Sequence, residues 1–187
     1  MVKIGIITGS TRDARVNTQV AEYLLNKAKD IQGAEFEIVD IKDFNLPALN
    51  ENVPAAMANK QYETPEAKAW SEKVDSLDGF IFVTPEYNKN VSPSLLNAIA
   101  YLAPEFSNKA AGIVSYGSTL GVAANFALRT TLSNFNVAVV GPFGAFSLFT
   151  DFEQMSTFAP AEVHEPTIQA VLATTVAWST ALKTLRN

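Results

Sequence analysis

Residues 1–17, MVKIGIITGSTRDARVN, decide the fold class of this chain. Within them, Val2 to Ile7 is a short, nearly continuous apolar run, and small, hydroxylic and basic residues follow it. Such a run is typical of a parallel strand that is buried on both faces. Further apolar residues then recur at helical spacing, namely Val20, Ala21, Leu24, Leu25 and Ala28. A strand, a polar loop and a helix in this order predict the opening of an α/β fold.

The polar loop between this strand and this helix is a candidate anion site. The N-terminus of a helix offers free N–H groups and the positive end of the helix dipole, which suits a phosphate. Ser10 and Thr11 add hydroxyl donors, and Arg12 and Arg15 add positive charge. The alternative interpretation is a capped turn with two solvated arginines, and the loop alone does not decide between the two.

The composition limits the class of protein. Of the 187 residues, 48% are hydrophobic and 18% are charged, which is typical of a globular fold. The formal net charge of −5 disfavours a nucleic-acid partner, because such proteins are usually basic. Without cysteine there is no disulfide or thiol chemistry, and a single histidine, His164, cannot make a histidine-rich metal site. No apolar run is long enough to span a bilayer, and no signal-peptide pattern precedes the first strand, so we expect a cytoplasmic protein with no membrane partner.

Strands and helices alternate five times along the chain. The further predicted strands are Ala34–Val39, Phe80–Thr84, Ala111–Ser115 and Val137–Val140. The further predicted helices are Thr64–Leu77, a helix opened by Ser92-Pro93 that stops near Pro104, Gly121–Asn134 and Pro166–Leu185. Two segments are predicted to be irregular, Ile41–Gln61 and the loop Gly141–Pro160. The first contains apolar residues that we expect to pack on the rest of the protein, namely Phe44, Leu46, Leu49 and Val53. The alternation predicts a parallel sheet with helices on both faces, in one domain that spans residues 1–187.

In open sheets of this kind, ligands lie beyond the carboxyl ends of the strands, where the strand order reverses. The loops of interest are therefore Thr8–Arg15, Thr84–Ser92 and Ser115–Gly121. The second reads as a proline-stiffened turn whose tyrosine and asparagine could hold the edge of a flat heterocycle. The third has two glycines that let the backbone approach a ligand closely.

Four stretches carry a resemblance to a known family: Gly9-Ser10-Thr11-Arg12 with Arg15 and Asn17, then Thr84-Pro85-Glu86-Tyr87-Asn88, then Leu95-Leu96-Asn97-Ala98-Ile99, then Val114-Ser115-Tyr116-Gly117. In this order they resemble the NAD(P)H-dependent FMN reductase family, which includes quinone, azo-dye and chromate reductases. The similarity runs from about Val2 to about Leu132, and Pro-Glu-Tyr-Asn is its most specific part. The resemblance implies a flavodoxin-like three-layer sandwich with a five-stranded parallel sheet in the order 2-1-3-4-5. It also implies non-covalent FMN, NADPH or NADH as co-substrate, and homodimers or homotetramers.

The resemblance also implies the site. The first loop would hold the flavin phosphate, and the second and third loops would hold the two sides of the isoalloxazine ring. The implied cofactor-binding residues are Ser10, Arg12, Arg15, Asn17, Thr18, Pro85, Glu86, Tyr87, Asn88, Ser115, Tyr116 and Gly117. The chain departs from the family pattern at Asp13, Ala14, Leu96, Ala100, Ser118 and Thr119. These departures bear on the nucleotide preference and on subunit contacts.

Flavin chemistry needs little from side chains, because the cofactor carries the reaction, so we assign no acid–base catalyst and no metal. Glu86 is more simply a carboxylate that caps a turn or faces solvent. Tyr87 and Tyr116 either stack near the ring or fill the core. Most of the late phenylalanines should be core or subunit interface, with a smaller chance that one lines the acceptor pocket, and His164 reads as a surface or helix-start residue. Asp40 sits where a dinucleotide fold reads ribose, but the glycine fingerprint of such folds is absent.

The leading hypothesis is an FMN-dependent NAD(P)H oxidoreductase that reduces a small-molecule acceptor: a quinone, an azo compound, a flavin or a metal ion. One alternative is an FMN-binding electron carrier, but the charge of −5 is only mildly acidic for a protein of that class. The other is a flavin-free binding or regulatory protein, which the departures at Leu96, Ala100 and Ser118 keep open.

Overall fold

A computed structural model describes residues 1–186 and contains a mostly parallel sheet between two layers of helices. The strands are β1 Val2–Thr8, β2 Ala34–Asp40, β3 Gly79–Tyr87, β4 Asn90–Val91, β5 Ala110–Gly117, β6 Ala138–Val139, β7 Gly144–Ser147, β8 Phe152–Glu153 and β9 Thr157–Phe158. The α-helices are α1 Asn17–Lys27, α2 Pro65–Asp75, α3 Pro93–Ala100, α4 Val122–Ser133 and α5 Glu165–Lys183. Each helix in the predicted set is confirmed, with ends shifted by a few residues.

The sheet has the spatial order β2-β1-β3-β5-β6, and β7 pairs with the far end of β5. Leaving out the short hairpin strand β4 and counting β6 and β7 as one position gives the predicted order 2-1-3-4-5. The order reverses between β1 and β3, so the carboxyl ends of these strands form the switch point at which such folds bind ligands. The flavodoxin-like α/β fold is therefore confirmed.

Two hydrophobic cores lie on opposite faces of the sheet, because successive side chains of a strand point to opposite sides. On one face α1 and α5 cover Ile6, Ile81 and Val114. On the other face α2, α3 and α4 cover Ile7, Phe82 and Ile113. The near-continuous apolar runs of the central strands arise from this double burial.

The second loop of interest differs from the predicted proline-stiffened turn. Strand β3 continues through Pro85, Glu86 and Tyr87 and then forms a hairpin with β4. Asn88 and Lys89 make the tight turn, and both have positive φ angles of 53° and 63°. Ser92 then caps α3, since its hydroxyl accepts a hydrogen bond from the Leu95 amide at 3.2 Å. The predicted start of this helix is thereby confirmed.

The prediction of a fifth strand at Val137–Val140 and a loop at Gly141–Pro160 is wrong in its boundaries. Only Ala138–Val139 pairs with the start of β5, and Gly144–Ser147 pairs with its end. The chain leaves the sheet between them at Gly141-Pro142, because proline cannot donate to a strand ladder. A second hairpin, β8–β9, then replaces the expected loop.

The segment Ile41–Gln61 contains two short 3₁₀-helices, Ile41–Phe44 and Ala55–Met57, and is otherwise irregular. Phe44 and Leu46 pack on the core, as predicted. Leu49 and Val53 do not, and they are exposed by 43% and 46%. Polar contacts hold the segment near Leu49 instead, because the Asn97 side chain bonds to the Leu49 amide at 2.9 Å and to the Pro47 carbonyl at 2.7 Å.

Within residues 1–186, no helix has both the length and the apolar character that crossing a membrane requires.

Candidate functional site

A pocket of about 190 Å³ opens at the carboxyl ends of β1, β3 and β5. Three of its walls come from the loops singled out in the sequence, and a fourth comes from the late segment. Its lining consists of Arg12, Ala14, Arg15, Val16, Pro85, Glu86, Tyr87, Tyr116, Gly117, Leu148 and Met155. Ligand pockets usually measure about 300–1,000 Å³, so a flavin held here would keep part of its surface open.

The N-terminus of α1 faces this loop without any side-chain cap. Its N-cap residue is Val16, which has no hydrogen-bonding side chain, and its first turn contains no acidic residue. The free N–H groups of this turn are therefore available to an external anion. Thr18 lies in the same turn and is half-buried.

Asn17 is buried at the first position of α1. Its Nδ2 donates to the Val83 carbonyl at 3.1 Å, which ties the helix to β3. Its Oδ1 is buried and has no hydrogen-bond partner among the described residues. Buried polar atoms of native proteins usually have partners, so this oxygen is an acceptor available to a hydroxyl of a ligand or to a water.

Short contacts hold the first loop rigid. A Cβ on Gly9 would lie 2.7 Å from the Val83 carbonyl oxygen, so this close approach to β3 requires glycine. The buried Ser10 hydroxyl lies 3.1 Å from the Tyr87 hydroxyl. The Thr11 hydroxyl lies 2.8 Å from the Ser94 hydroxyl of α3. The loop is thereby connected to both neighbouring elements before any ligand binds.

The two arginines of the loop have different surroundings. Arg15 forms an ion pair with Asp40 and donates to the Ser10 carbonyl at 2.7 Å. Asp40 also accepts from the Thr8 hydroxyl at 2.9 Å and from the Lys42 amide at 3.0 Å, so it acts as an anchor for this corner of the sheet. Arg12 is exposed and forms no hydrogen bond or ion pair with another residue in 1–186.

Glu86 uses its carboxylate within the protein, as the capping interpretation predicted, although the helix is a distant one. One oxygen accepts from the Ala123 and Ala124 amides of α4 at 2.9 and 3.3 Å. The other accepts from the Thr119 hydroxyl at 3.0 Å, and Lys89 lies 3.3 Å away. Burial raises the pKa of Glu86, but these hydrogen bonds lower it by more, so the pKa lies below its ordinary value.

Tyr116 and Gly117 form the floor of the pocket. Burial raises the pKa of the Tyr116 hydroxyl well above its usual range, so this tyrosine stays neutral. Its ring packs 5.5 Å from the ring of Phe152, centroid to centroid. A Cβ on Gly117 would lie 3.1 Å from the Glu86 Cβ, so glycine permits the close packing of β5 against β3 at the floor of the pocket.

The structure brings most of the predicted site residues together, but not all. Those that line the pocket are Arg12, Arg15, Pro85, Glu86, Tyr87, Tyr116 and Gly117. Those that lie around it without lining it are Ser10, Asn17, Thr18, Asn88 and Ser115. Asn88 is exposed at the β3–β4 turn, and the buried Ser115 hydroxyl points to the Leu120 carbonyl at 3.2 Å. The role of each in binding a cofactor stays a prediction.

Sequence reasoning missed four lining residues: Ala14 and Val16 before α1, and Leu148 and Met155 in the late segment. The secondary expectation, that a late phenylalanine lines the pocket, is wrong, because none of the late phenylalanines is among the lining residues. Phe146 and Phe152 are buried in the core and Phe149 is 68% exposed. For Leu148 and Met155, the only sequence signal was the apolar composition of the late segment. His164 also makes a contact that the sequence did not predict, because its ring nitrogen lies 2.8 Å from the buried Asp151 carboxylate.

A larger cavity of about 580 Å³ lies on the other side of the first loop. Its walls include Thr11, Lys42, Ser94 and Asn97, together with apolar residues of the segment that follows β2. It shares no lining residue with the pocket described above. We place the site in the smaller pocket, because that is where the three predicted loops converge.

Comparison with known proteins agrees with this geometry. Residues 2–151 match the sequence profile of the family described as NADPH-dependent FMN reductase. An NAD(P)H-dependent FMN reductase of Nectria sp is 38% identical over 136 residues, which cover 71% of this chain and 68% of that protein. A quinone reductase of Pseudomonas putida is 31% identical over 190 residues and covers 94% of this chain and 93% of its own.

Solved structures show the same fold. The flavoenzyme NAD(P)H:(acceptor) oxidoreductase from Paracoccus denitrificans superimposes with a TM-score of 0.73 at 18% identity. The superposition covers 97% of this chain and 98% of that one. The shared architecture therefore extends beyond residue 151, where the family profile ends.

Proposed function

Because this chain belongs to the NADPH-dependent FMN reductase family, it is an oxidoreductase that works with FMN and NAD(P)H, and we propose that it holds FMN in the pocket at the carboxyl ends of β1, β3 and β5 and reduces quinone-like acceptors. The quinone reductase of Pseudomonas putida, similar over nearly the whole length of both chains, supports the choice of acceptor. Flavin, azo and metal-ion acceptors belong to the same proposal as secondary substrates.

The observation that carries the proposal is the uncapped N-terminus of α1 beside a free arginine. A flavin phosphate would receive the N–H groups of the first turn and the Arg12 guanidinium. The orphaned Asn17 Oδ1 fits the same ligand, since a ribityl hydroxyl is a donor of the kind that this oxygen lacks. The residues present therefore fit FMN better than they fit a purely apolar ligand.

When bound, FMN would supply the redox chemistry, the transfer of two electrons from NAD(P)H to the acceptor. The chain's own residues position and shield the flavin. Pro85 and Tyr87 form one wall, and the Gly117 backbone approaches from the floor. The neutral Tyr116 adds no charge to the floor of the pocket. The Glu86 carboxylate is held by α4, so it positions that helix and is not free to exchange protons with a substrate.

We further propose that the protein works in the cytoplasm as a homodimer or homotetramer. Apolar side chains that the fold does not cover support the oligomer. Met57 is exposed by 72% and Phe126 by 58%, in addition to Leu49 and Val53. Light scattering at micromolar concentration measures the mass directly, and a mass near the 20.2 kDa of one chain would contradict this part of the proposal.

The test of the flavin site is a titration with FMN followed by an assay. The purified protein should take up one FMN per chain and release it on denaturation. In the absence of oxygen, the loaded protein should then oxidise more than one equivalent of NAD(P)H only when a quinone or another acceptor is added. A protein that stays colourless in excess FMN contradicts the proposal. A yellow protein that does not oxidise NAD(P)H points to an electron carrier instead.

A further inference from the structure

The β8–β9 hairpin is bonded to the helix whose N-terminus is the proposed phosphate site. The Gln19 side chain, in the first turn of α1, donates to the Ser156 carbonyl at 2.9 Å and accepts from the Phe158 amide at 2.8 Å. Tyr23, one turn later on the same face of α1, packs against Phe158 with ring centroids 5.4 Å apart. The hairpin is therefore attached to the N-terminal half of α1.

The turn of this hairpin lies at the phosphate end of the pocket. Met155 lines the pocket together with Arg12 and Val16, which precede α1. Its neighbour Ser156 has the carbonyl to which Gln19 donates, so this bond holds the turn beside the uncapped amides of α1. A thioether has no hydrogen-bond donor to offer a phosphate. Met155 therefore covers this end of the pocket and does not serve as an anion ligand.

The conformation of the turn depends on contacts outside it. Gln154 and Met155 have positive φ angles of 50° and 56°, a region that residues other than glycine and asparagine rarely adopt. Such conformations persist only where the surrounding structure holds them in place. The two hydrogen bonds of Gln19 supply such a hold, because they join the end of the turn to α1.

The base of the hairpin is packed into the core, and the turn is not. The Phe158 ring lies 4.9 Å from the Phe152 ring and 4.8 Å from the buried Phe146 ring, centroid to centroid. Phe152 is also buried, whereas Met155 in the turn is 58% exposed. The turn can therefore move on a fixed base without disturbing the core.

The size of the pocket indicates that one of its walls moves when a large ligand enters. The volume of about 190 Å³ is below the range of about 300–1,000 Å³ that is usual for ligand pockets. Pro85 and Tyr116 belong to central strands of the sheet, so these walls are fixed. The turn that carries Met155 is bonded to α1 through one side chain, that of Gln19. It is the wall that can open at the lowest cost.

We propose that the hairpin turn is a gate over the phosphate end of the pocket and that Gln19 keeps this gate closed. The proposal rests on the proposed flavin site and describes how the exchange of its cofactor is controlled. Gln19 acts through the hairpin and contacts no part of FMN, so it is a positioning residue. Its two hydrogen bonds are internal to the chain and need no ligand. They therefore slow the association and the dissociation of FMN alike and have little effect on its equilibrium affinity.

The experiment measures FMN exchange in the full chain by stopped-flow flavin fluorescence. Gln19→Leu removes both hydrogen bonds and keeps a side chain of similar length. Met155→Gly removes the covering side chain and leaves α1 unchanged. Gln169→Leu is the matched control, because Gln169 of α5 donates to the Lys27 carbonyl at the other end of α1 at 3.1 Å. This variant removes a glutamine bond to the same helix at a distance from the pocket.

In Gln19→Leu, the rate constants of FMN association and dissociation should both rise by about tenfold, because a gate without its two hydrogen bonds opens more often. The Kd should stay within about threefold of the parent value. Met155→Gly should raise both rate constants by about threefold or more, and Gln169→Leu should leave both within about twofold. Hydrogen exchange of the Phe158 amide should be faster in Gln19→Leu than in the parent, with or without FMN.

Three results would overturn the proposal. The first is that neither Gln19→Leu nor Met155→Gly changes the rate constants. The second is that only dissociation becomes faster in Gln19→Leu, so that the Kd rises and Gln19 belongs to the binding site itself. The third is an equal rise in Gln169→Leu, which would attribute the effect to a general loosening of α1. If Gln19→Leu does not fold, Met155→Gly decides alone.

Failure of the proposed function has a different signature. A parent protein that leaves the fluorescence of FMN unquenched overturns the flavin site and the gate together. This result is visible before any variant is compared, so it is distinguished from the three outcomes that concern the gate alone.

Discussion

Two of the helix N-termini at the ligand-binding edge of the sheet, those of α1 and α4, have an N-cap residue that gives no side-chain cap, and the protein treats them in opposite ways. Helix α4 has no side-chain cap of its own, but the Glu86 carboxylate reaches across from β3 and accepts from its first amides. Helix α1 also has no side-chain cap, and no carboxylate of the described chain replaces it. One helix end is closed by an internal anion and the other is open to an external one.

The difference supports the proposal that the phosphate of FMN binds at the first loop. A helix N-terminus attracts an anion wherever its amides are free, so a fold with several such ends must close those that are not used. Ser92 closes α3 and Glu86 closes α4. The flavin phosphate would then find a single suitable helix end within the pocket, and its position would set the direction of the ring.

The largest expected effect is that of a carboxylate added at the uncapped N-terminus of α1. Val16→Asp places a carboxylate at the N-cap of α1, where Val16 already lines the pocket. Repulsion between this carboxylate and the flavin phosphate should weaken FMN binding by about a hundredfold, or about 2.7 kcal/mol. Fluorescence titration measures the change. Val16→Asn is the control, because its amide oxygen can accept from the same N–H groups without adding a charge, and equal losses in both variants would attribute the effect to capping or packing and not to charge.

Removing the Glu86 carboxylate from the N-terminus of α4 should mainly affect the stability of the fold. Glu86→Gln keeps the size of the side chain but replaces the charged acceptor of two α4 amides, and we expect a loss of about 2 kcal/mol of unfolding free energy. Urea denaturation without flavin measures it, with the exposed Glu72→Gln as the control. FMN affinity should change by less than about threefold, as the carboxylate is not a flavin ligand in this scheme. A large loss of FMN affinity without a loss of stability would reverse the assigned role.

The third test concerns the free arginine beside the open end. Arg12→Ala should weaken FMN by about tenfold, or about 1.4 kcal/mol, and leave riboflavin affinity nearly unchanged, because riboflavin lacks the phosphate. Added salt should weaken FMN binding more in the parent than in the variant, since one charge pair is missing from the variant. Equal losses of both flavins in Arg12→Ala would show that the arginine supports the ring or the fold.

The smallest expected effect is the pH dependence of the stabilisation that Glu86 gives to α4. The folded-state pKa of Glu86 lies below its ordinary value of 4.5, so the unfolded chain takes up the proton first as the pH falls. The stabilisation is therefore complete well above pH 4.5 and is lost as the pH falls through the folded-state pKa. The stability difference between the parent and Glu86→Gln should narrow in this acidic range. A constant difference down to pH 3 would show that the cap does not depend on the charge.

The parts of the fold that sequence patterns predicted are those with local signals. The strand β1 was predicted from a nearly continuous apolar run, and the start of α3 was predicted from Ser92-Pro93. The order of the strands came from the family resemblance. The short pieces β6 and β7 were not readable, because two or four residues carry no periodicity and their pairing depends on β5. The β8–β9 hairpin was missed for the same reason.

The site shows the same limit. The three loops could be found because each follows a strong strand, and the arginines and the Pro-Glu-Tyr-Asn element lie in them. The sequence could not show which of the two arginines forms an ion pair, because the partner of Arg15 is Asp40, 25 residues later. The partner of Glu86 lies 37 residues away, and Met155 reaches the pocket only through the folding of a distant hairpin. Long-range pairing decided these details.

The position of α5 has a consequence for the synthesis of the protein. This helix, Glu165–Lys183, covers Ile81, Val83 and Val114 on one face of the sheet, and Lys183 and Arg186 then bond to Asp78 near the start of β3. All of the strands leave the ribosome before this helix does. A nascent chain that stalls before Glu165 therefore exposes an apolar sheet face for as long as translation pauses, and this intermediate is the natural target of chaperones that bind unfinished chains.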